Sequence, residues 1–163
     1  MEFLIRALRP DDYEQSAEIF RQVHRLHQES RPDIYRMTKN PLGIDYFTYL
    51  CGNPDGIALC AECDGQISGI AYTYIKKPTD NPVSLPRVTA FMDDLAVHED
   101  FRGLGIGKAL VEETRRLAKA RGAVSLELMV WAFNQNAVEF YEHLGMSPRS
   151  LIMEMPLEGV PNA

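Results

Sequence analysis

Apolar residues at Tyr13, Ala17, Phe20 and Val23 recur at helical spacing, and the recurrence fades near His27. Pro10 opens this helix, and Asp11 and Asp12 fall in its first turn, where the helix dipole favours acid. Ahead of it, Phe3 to Leu8 reads as a strand. Behind it, Gln28 to Asn40 is polar, contains Pro32 and shows no period, which predicts a loop or a short irregular helix. Pro41 to Leu50 predicts a second helix with Asn40 in a position to cap it. The cluster Gly52-Asn53-Pro54-Asp55-Gly56 ends that helix.

The pattern then shortens to strands. Ile57 to Cys63 and Gln66 to Ile75 flank Asp64-Gly65, a type I′ hairpin signal. Prolines at 78, 82 and 86 make a loop before a strand from Val88 to Val97. A helix follows from Gly105 to Ala120, with Gly122 just past its end. Val124 to Trp131 is a β-rich apolar run of the kind expected for a buried parallel strand. Asn136 to Leu144 predicts a short helix closed by Gly145, and Leu151 to Met155 a final strand. This order predicts a single-domain α/β fold with a mixed central β-sheet flanked by helices on both faces. At 163 residues, with no repeat or linker, one domain spanning 1–163 is expected.

Composition narrows the function. The chain carries 17 Lys and Arg against 23 Asp and Glu, a net charge of -6. That balance argues against nucleic acid as a partner and suits a cationic small molecule. No apolar run approaches the ~20 residues of a membrane helix, so no membrane partner is expected. The first residues lack the basic flank and apolar stretch of a signal peptide, and three cysteines is an odd count. Both features lead to the expectation of a cytoplasmic protein with free thiols. Cys60 and Cys63 form a lone C-x-x-C inside a predicted strand, read as two ordinary strand cysteines. His24 and His27 lie three apart on a helix but lack a third ligand, so no metal is expected.

The residues that carry chemistry begin at Asp94. Leu95-Ala96-Val97 ends a strand, and Arg102-Gly103-Leu104-Gly105-Ile106-Gly107-Lys108 forms a glycine-rich turn that opens a helix. Unpaired N–H groups at a helix start, reinforced by the helix dipole, make a site for a phosphate or pyrophosphate. Two familiar phosphate loops fit poorly. Ala109 stands where a P-loop needs a hydroxyl after its lysine, and the third glycine of a dinucleotide fingerprint is misplaced.

Arg102-Gly103-Leu104-Gly105-Ile106-Gly107 resembles the R/Q-x-x-G-x-G/A signature of the GNAT superfamily of N-acetyltransferases. Asn134-Gln135-Asn136-Ala137-Val138-Glu139-Phe140-Tyr141-Glu142-His143-Leu144-Gly145-Met146 is similar to that family's second motif, with Met146 in place of the usual Phe. The resemblance implies acetyl-CoA as cosubstrate and no metal. It implies that the main chain of Arg102 to Lys108 binds the pyrophosphate and that Leu95, Ala96 and Val97 line the pantetheine arm. Asn134 and Asn136 belong to the same implied cofactor set, and Tyr141 is expected near the sulfur. Phe91-Met92-Asp93-Asp94-Leu95-Ala96-Val97 is similar to the corresponding strand of the polyamine acetyltransferase branch. That likeness implies a catalytic role for Asp93 and substrate contact for Asp94. A homodimer is possible by the same likeness.

These parts suit direct attack by an amine on a thioester with no covalent enzyme intermediate. A base must deprotonate the amine, and a phenol at Tyr141 can protonate the departing thiolate. Adjacent in a strand, Asp93 and Asp94 are expected to face opposite sides. The loop residues Arg31, Asp33 and Tyr35 fall where such folds shape the acceptor site. The expected acceptor is a small-molecule primary amine such as a polyamine or amino acid. A protein or peptide amine, a non-catalytic acyl-CoA-binding module and a nucleotide-binding enzyme are the alternatives.

Overall fold

A computed structural model describes residues 2–157. Its elements are β1 (Leu4–Ala7), a 3-10 turn (Pro10–Asp12), α1 (Tyr13–Ser30), α2 (Ile44–Gly52), β2 (Gly56–Cys63), β3 (Gln66–Lys76), β4 (Thr89–Val97), a second 3-10 turn (Glu99–Phe101), α3 (Ile106–Ala120), β5 (Leu126–Leu128) and α4 (Gln135–His143). The five strands lie in chain order across one sheet. β1 to β4 pair antiparallel, and β5 joins β4 in parallel. The mixed α/β sheet of the sequence reading is therefore present.

Two apolar clusters lie on opposite faces of this sheet. Ile106, Leu110 and Ala118 of α3 pack with Ile57, Leu59 and Ala71 on one face. Ile19 of α1 and Phe47 of α2, with Leu42 between them, pack with Cys60, Ile67 and Ile70 on the other. Each fully buried Leu, Ile or Phe stabilises the fold by roughly 1.5–3 kcal/mol. α3 sits close because Gly69 has no side chain. A Cβ there would come within 2.9 Å of Ile106 and 3.1 Å of Leu110.

Several expectations are corrected. On α1, Ala17 of the expected apolar face is buried and Tyr13 and Phe20 pack against the core, but Ser16, Ile19 and Gln22, which the spacing does not mark, are buried beside them. Tyr13 also anchors the α1–α2 loop, donating to the Leu42 carbonyl at 2.9 Å. α2 starts at Ile44 with Gly43 as its N-cap, so Asn40 does not cap it. β5 spans three residues rather than Val124 to Trp131. Leu151 to Met155 forms no strand, and its apolar side chains are exposed. Cys60 and Cys63 are buried, unpaired strand cysteines, and burial pushes the Cys60 thiol up to about 12.

Candidate active site

The glycine turn lies where β4 gives way to α3. Gly103 and Gly105 have φ of 77° and 81°, a region that side-chain-bearing residues rarely adopt. Gly105 is the N-cap of α3, and no side chain caps the helix. Ala109 N–H is the first to reach a carbonyl, that of Gly105 at 3.0 Å. Among the described residues, the N–H groups of Gly103 to Lys108 meet no acceptor of the chain itself. The expected donor set loses one member, because Arg102 N–H bonds the Glu99 carbonyl at 3.4 Å. Ile106 is buried, so its side chain belongs to the core and only its main chain faces the turn. Lys108 is exposed and lies 3.8 Å from Glu112. Unpaired donors at a helix start are of the kind that can take an anion.

Beside this turn the sheet opens. β5 touches β4 only through Ala90–Leu126, Phe91–Glu127 and Met92–Leu128. From Asp93 to Val97, including Leu95 and Ala96, β4 has no strand neighbour on that side among the described residues. An unpaired strand edge can hydrogen-bond an extended amide-bearing ligand. At its far end, Arg102 Nε donates to the Val97 carbonyl at 3.3 Å.

The two acids sit at a break in the β3–β4 ladder. Tyr72 pairs with Asp94 and Thr73 with Met92, which leaves Asp93 as the extra residue of a bulge. Simple alternation, which sends neighbours to opposite faces, is interrupted here. Both carboxylates act on Tyr46, whose phenol is raised by burial first and then by Asp94 and Asp93. Asp93 lines a cavity beside Tyr46 and Tyr49, whereas Asp94 bears on Tyr141. Asp93 is exposed, whereas Asp94 is largely withdrawn from water. Burial, followed by the charge of Asp93, pushes the Asp94 carboxyl up to about 7.

Tyr141 lies on α4, its ring edge-on to Phe140 at 5.2 Å between centroids. Burial, then the charge of Asp94, pushes its phenol up to about 12. The phenol is therefore protonated at neutral pH, within electrostatic reach of Asp94. α4 is held near the glycine turn by a close contact: a Cβ on Gly107 would meet Phe140 at 3.3 Å. Asn134, expected to meet the cofactor, spends its Oδ1 on capping α4 by accepting from Ala137 N–H at 3.2 Å. Asn136 is exposed on the first turn of α4.

The first long loop is tied to the chain after β5. Trp131 Nε1 donates to the Tyr35 hydroxyl at 3.0 Å, and His27 stacks on Tyr35 at 5.2 Å. Arg31 binds Asp33 and Glu154 and lies 5.3 Å from the Trp131 ring centre. His24 Nε2 bonds the Arg36 carbonyl at 2.9 Å. The two histidines are thus parts of a loop anchor.

A family model described as the acetyltransferase (GNAT) family matches residues 20–146. The chain belongs to this family. The GNAT chain is 29% identical over 157 residues to an uncharacterized N-acetyltransferase of Methanocaldococcus jannaschii, an alignment covering 92% of this chain and 63% of that protein. It thus spans under two thirds of that relative's length. It is 31% identical to an acetyltransferase of Pectobacterium atrosepticum, over 86% of this chain and 84% of the other. Among solved structures, it is similar to a mutant form of a Bacillus halodurans protein. The TM-score is 0.92 at 31% identity, covering 94% of this chain and 99% of that one.

One part of this GNAT site escaped the sequence reading. Tyr46, Tyr49 and Asn53 of α2 and its following turn face Tyr72 and Tyr74 of β3 and Asp93 of β4 across a cavity of about 310 Å³. The signal lay in the spacing: 46, 49, 50 and 53 share one helix face, and 72 and 74 share one strand face.

Proposed function

We propose that the chain transfers an acetyl group from acetyl-CoA to a primary amine of a small molecule. One observation carries the reading: a carboxyl raised to about 7 and a protonated phenol lie within electrostatic reach at an open strand edge. The edge runs into an uncapped helix start.

The donors of Gly103 to Lys108 would hold the pyrophosphate, and the free edge from Asp93 to Val97 would line the pantetheine arm. Acetyl-CoA supplies an activated acyl group. The acceptor amine enters protonated, because a free alkylamine has a pKa of about 10. Asp94 removes one proton, directly or through water, and its raised pKa suits it to do so near neutral pH. A main-chain N–H on the β4 edge can donate to the carbonyl oxygen as charge builds there. Tyr141 gives its proton to the departing sulfur and is restored by the proton that leaves the new amide nitrogen. No enzyme nucleophile is consumed, so the buried cysteines have no part. Asp94 takes the base role here, and exposed Asp93 is left to contact the acceptor. We place the reaction in the cytoplasm, on the odd count of three cysteines, all free.

The test is release of coenzyme A thiol from acetyl-CoA across a panel of amines, amino acids and peptides. Turnover with small amines above the rate of spontaneous hydrolysis is expected. Turnover confined to peptides would replace the acceptor class, and binding without turnover on any amine would leave an acyl-CoA-binding module.

A further inference from the structure

Thr89 and Val97 stand at the two ends of β4, about 26 Å apart at ~3.3 Å per residue. The glycine turn follows Val97. At the Thr89 end, the β3–β4 loop, β5 and the chain after α4 border a cavity of about 570 Å³. That volume falls within the ~300–1,000 Å³ usual for small-ligand sites. Its lining is basic: Lys76, Arg87 and Arg149 face it with one acid, Glu127. The chain as a whole has a net charge of -6, so this balance is not inherited from composition.

The sheet register groups these residues. Lys76 pairs with Thr89, Tyr74 with Phe91, and Phe91 with Glu127. Residues two apart on a strand share a face, so Lys76, Thr89 and Glu127 project from the same side of the sheet. Part of the charge is already cancelled. Arg149 meets Glu127 at 2.7 Å, and Ser125 Oγ donates to the same carboxylate at 2.9 Å. Lys77 is paired with Asp55 at 2.9 Å. Lys76 has no such partner; its ammonium lies 3.9 Å from the Phe91 ring centre and 5.4 Å from that of Tyr74. Arg87 reaches only the Ser125 hydroxyl, at 3.2 Å. Among the described residues, neither Lys76 nor Arg87 forms an ion pair. Two uncompensated cations, with the hydroxyl-bearing Ser84 and Thr89 beside them, suit a ligand that carries two negative charges.

We propose that this cavity binds a small dianion, a phosphate monoester or a dicarboxylate, held by Lys76 and Arg87 with Arg149 beside them. A guanidinium fork matches the paired oxygens of either group, and an ammonium adds a point charge. The site lies at the opposite end of β4 from the glycine turn and does not depend on the acetyl-transfer reading. A bound dianion ties the β3–β4 loop and the chain after α4 to the sheet.

The experiment is an amide NMR titration of the whole chain with sodium phosphate, sodium succinate and, at matched ionic strength, sodium chloride. Saturable shifts at Ser84, Thr89 and Glu127 are expected with phosphate or succinate, at a Kd below about 10 mM, and not with chloride. A response to phosphate alone assigns a phosphoryl ligand, and a response to succinate alone a dicarboxylate. Lys76→Gln and Arg87→Gln should each weaken the binding by at least about fivefold. Both side chains are exposed, so their replacement leaves the core intact. No saturable shift with either dianion, shifts confined to residues 103–108, an equal response to chloride, or unchanged affinity in both variants overturns the site.

Discussion

Asp94 and Tyr141 are each moved away from their ordinary pKa values chiefly by loss of water, and their protonation states suit opposite tasks. Asp94→Asn should lower kcat by about 10²-fold or more and remove an inflection near pH 7, above which wild-type kcat/KM is maximal. The same variant carries a stability signature. A carboxyl raised from 3.8 to about 7 binds its proton more tightly when folded, so wild type loses stability as pH rises between those values. Asn mimics the protonated form. Asp94→Asn should therefore unfold at higher temperature than wild type at pH 8, with a gain of about 1–3 kcal/mol that vanishes below pH 4. Tyr141→Phe should cut kcat by about 10²-fold while acetyl-CoA affinity stays within about twofold, checked by kinetics beside calorimetry. The tandem acids and Tyr141 were legible in the sequence. The bulge at Asp93 was not, because the extra residue exists only relative to β3.

At the scale of elements, the joint between β4 and α3 was the most legible feature. Three glycines at alternate positions announce a turn with exposed donors, and the structure gives two of them positive φ. Gly105→Val should strain that turn by about 1–2 kcal/mol and reduce acetyl-CoA binding below detection. Gly69→Val tests a different joint. It drives a side chain against Ile106 and Leu110, so a loss of about 1–3 kcal/mol in chemical denaturation is expected. Nothing local in the sequence marks Gly69, since its constraint comes from a helix some 37 residues later. β5 and the Leu151–Met155 segment fared worst. Val124 to Leu128 alternates, but the run continues apolar through Met129, Val130 and Trp131, and Leu151-Ile152-Met153 does not alternate; an apolar run does not say where pairing stops. β5 leaves β4 after Met92, and that parting is what opens the site.

For the whole molecule, a sheet covered on both faces sets α2 and its tyrosines on one side and α3 with its donors on the other. The proposed reaction uses both, with acyl donor and acceptor meeting across β4. The near edge of the sheet is fixed by Arg6, which binds Asp12 at 2.7 Å and Glu62 at 2.6 Å. Arg6 holds the Asp12 carboxyl below its usual range. Stability from this contact is present at neutral pH and is lost as pH falls below the ordinary aspartate range. Fold class was readable from element order, whereas the tyrosine-lined cavity emerged only when α2 met β3. The central claim is that unpaired main-chain donors from Gly103 to Lys108 grip a diphosphate. Calorimetric titration of acetyl-CoA into wild type and Gly105→Val tests it most directly. Saturable binding to wild type between about 1 μM and 1 mM, lost in the variant, is the expected result. No heat of binding to wild type at millimolar acetyl-CoA, or equal affinity in the variant, would contradict it.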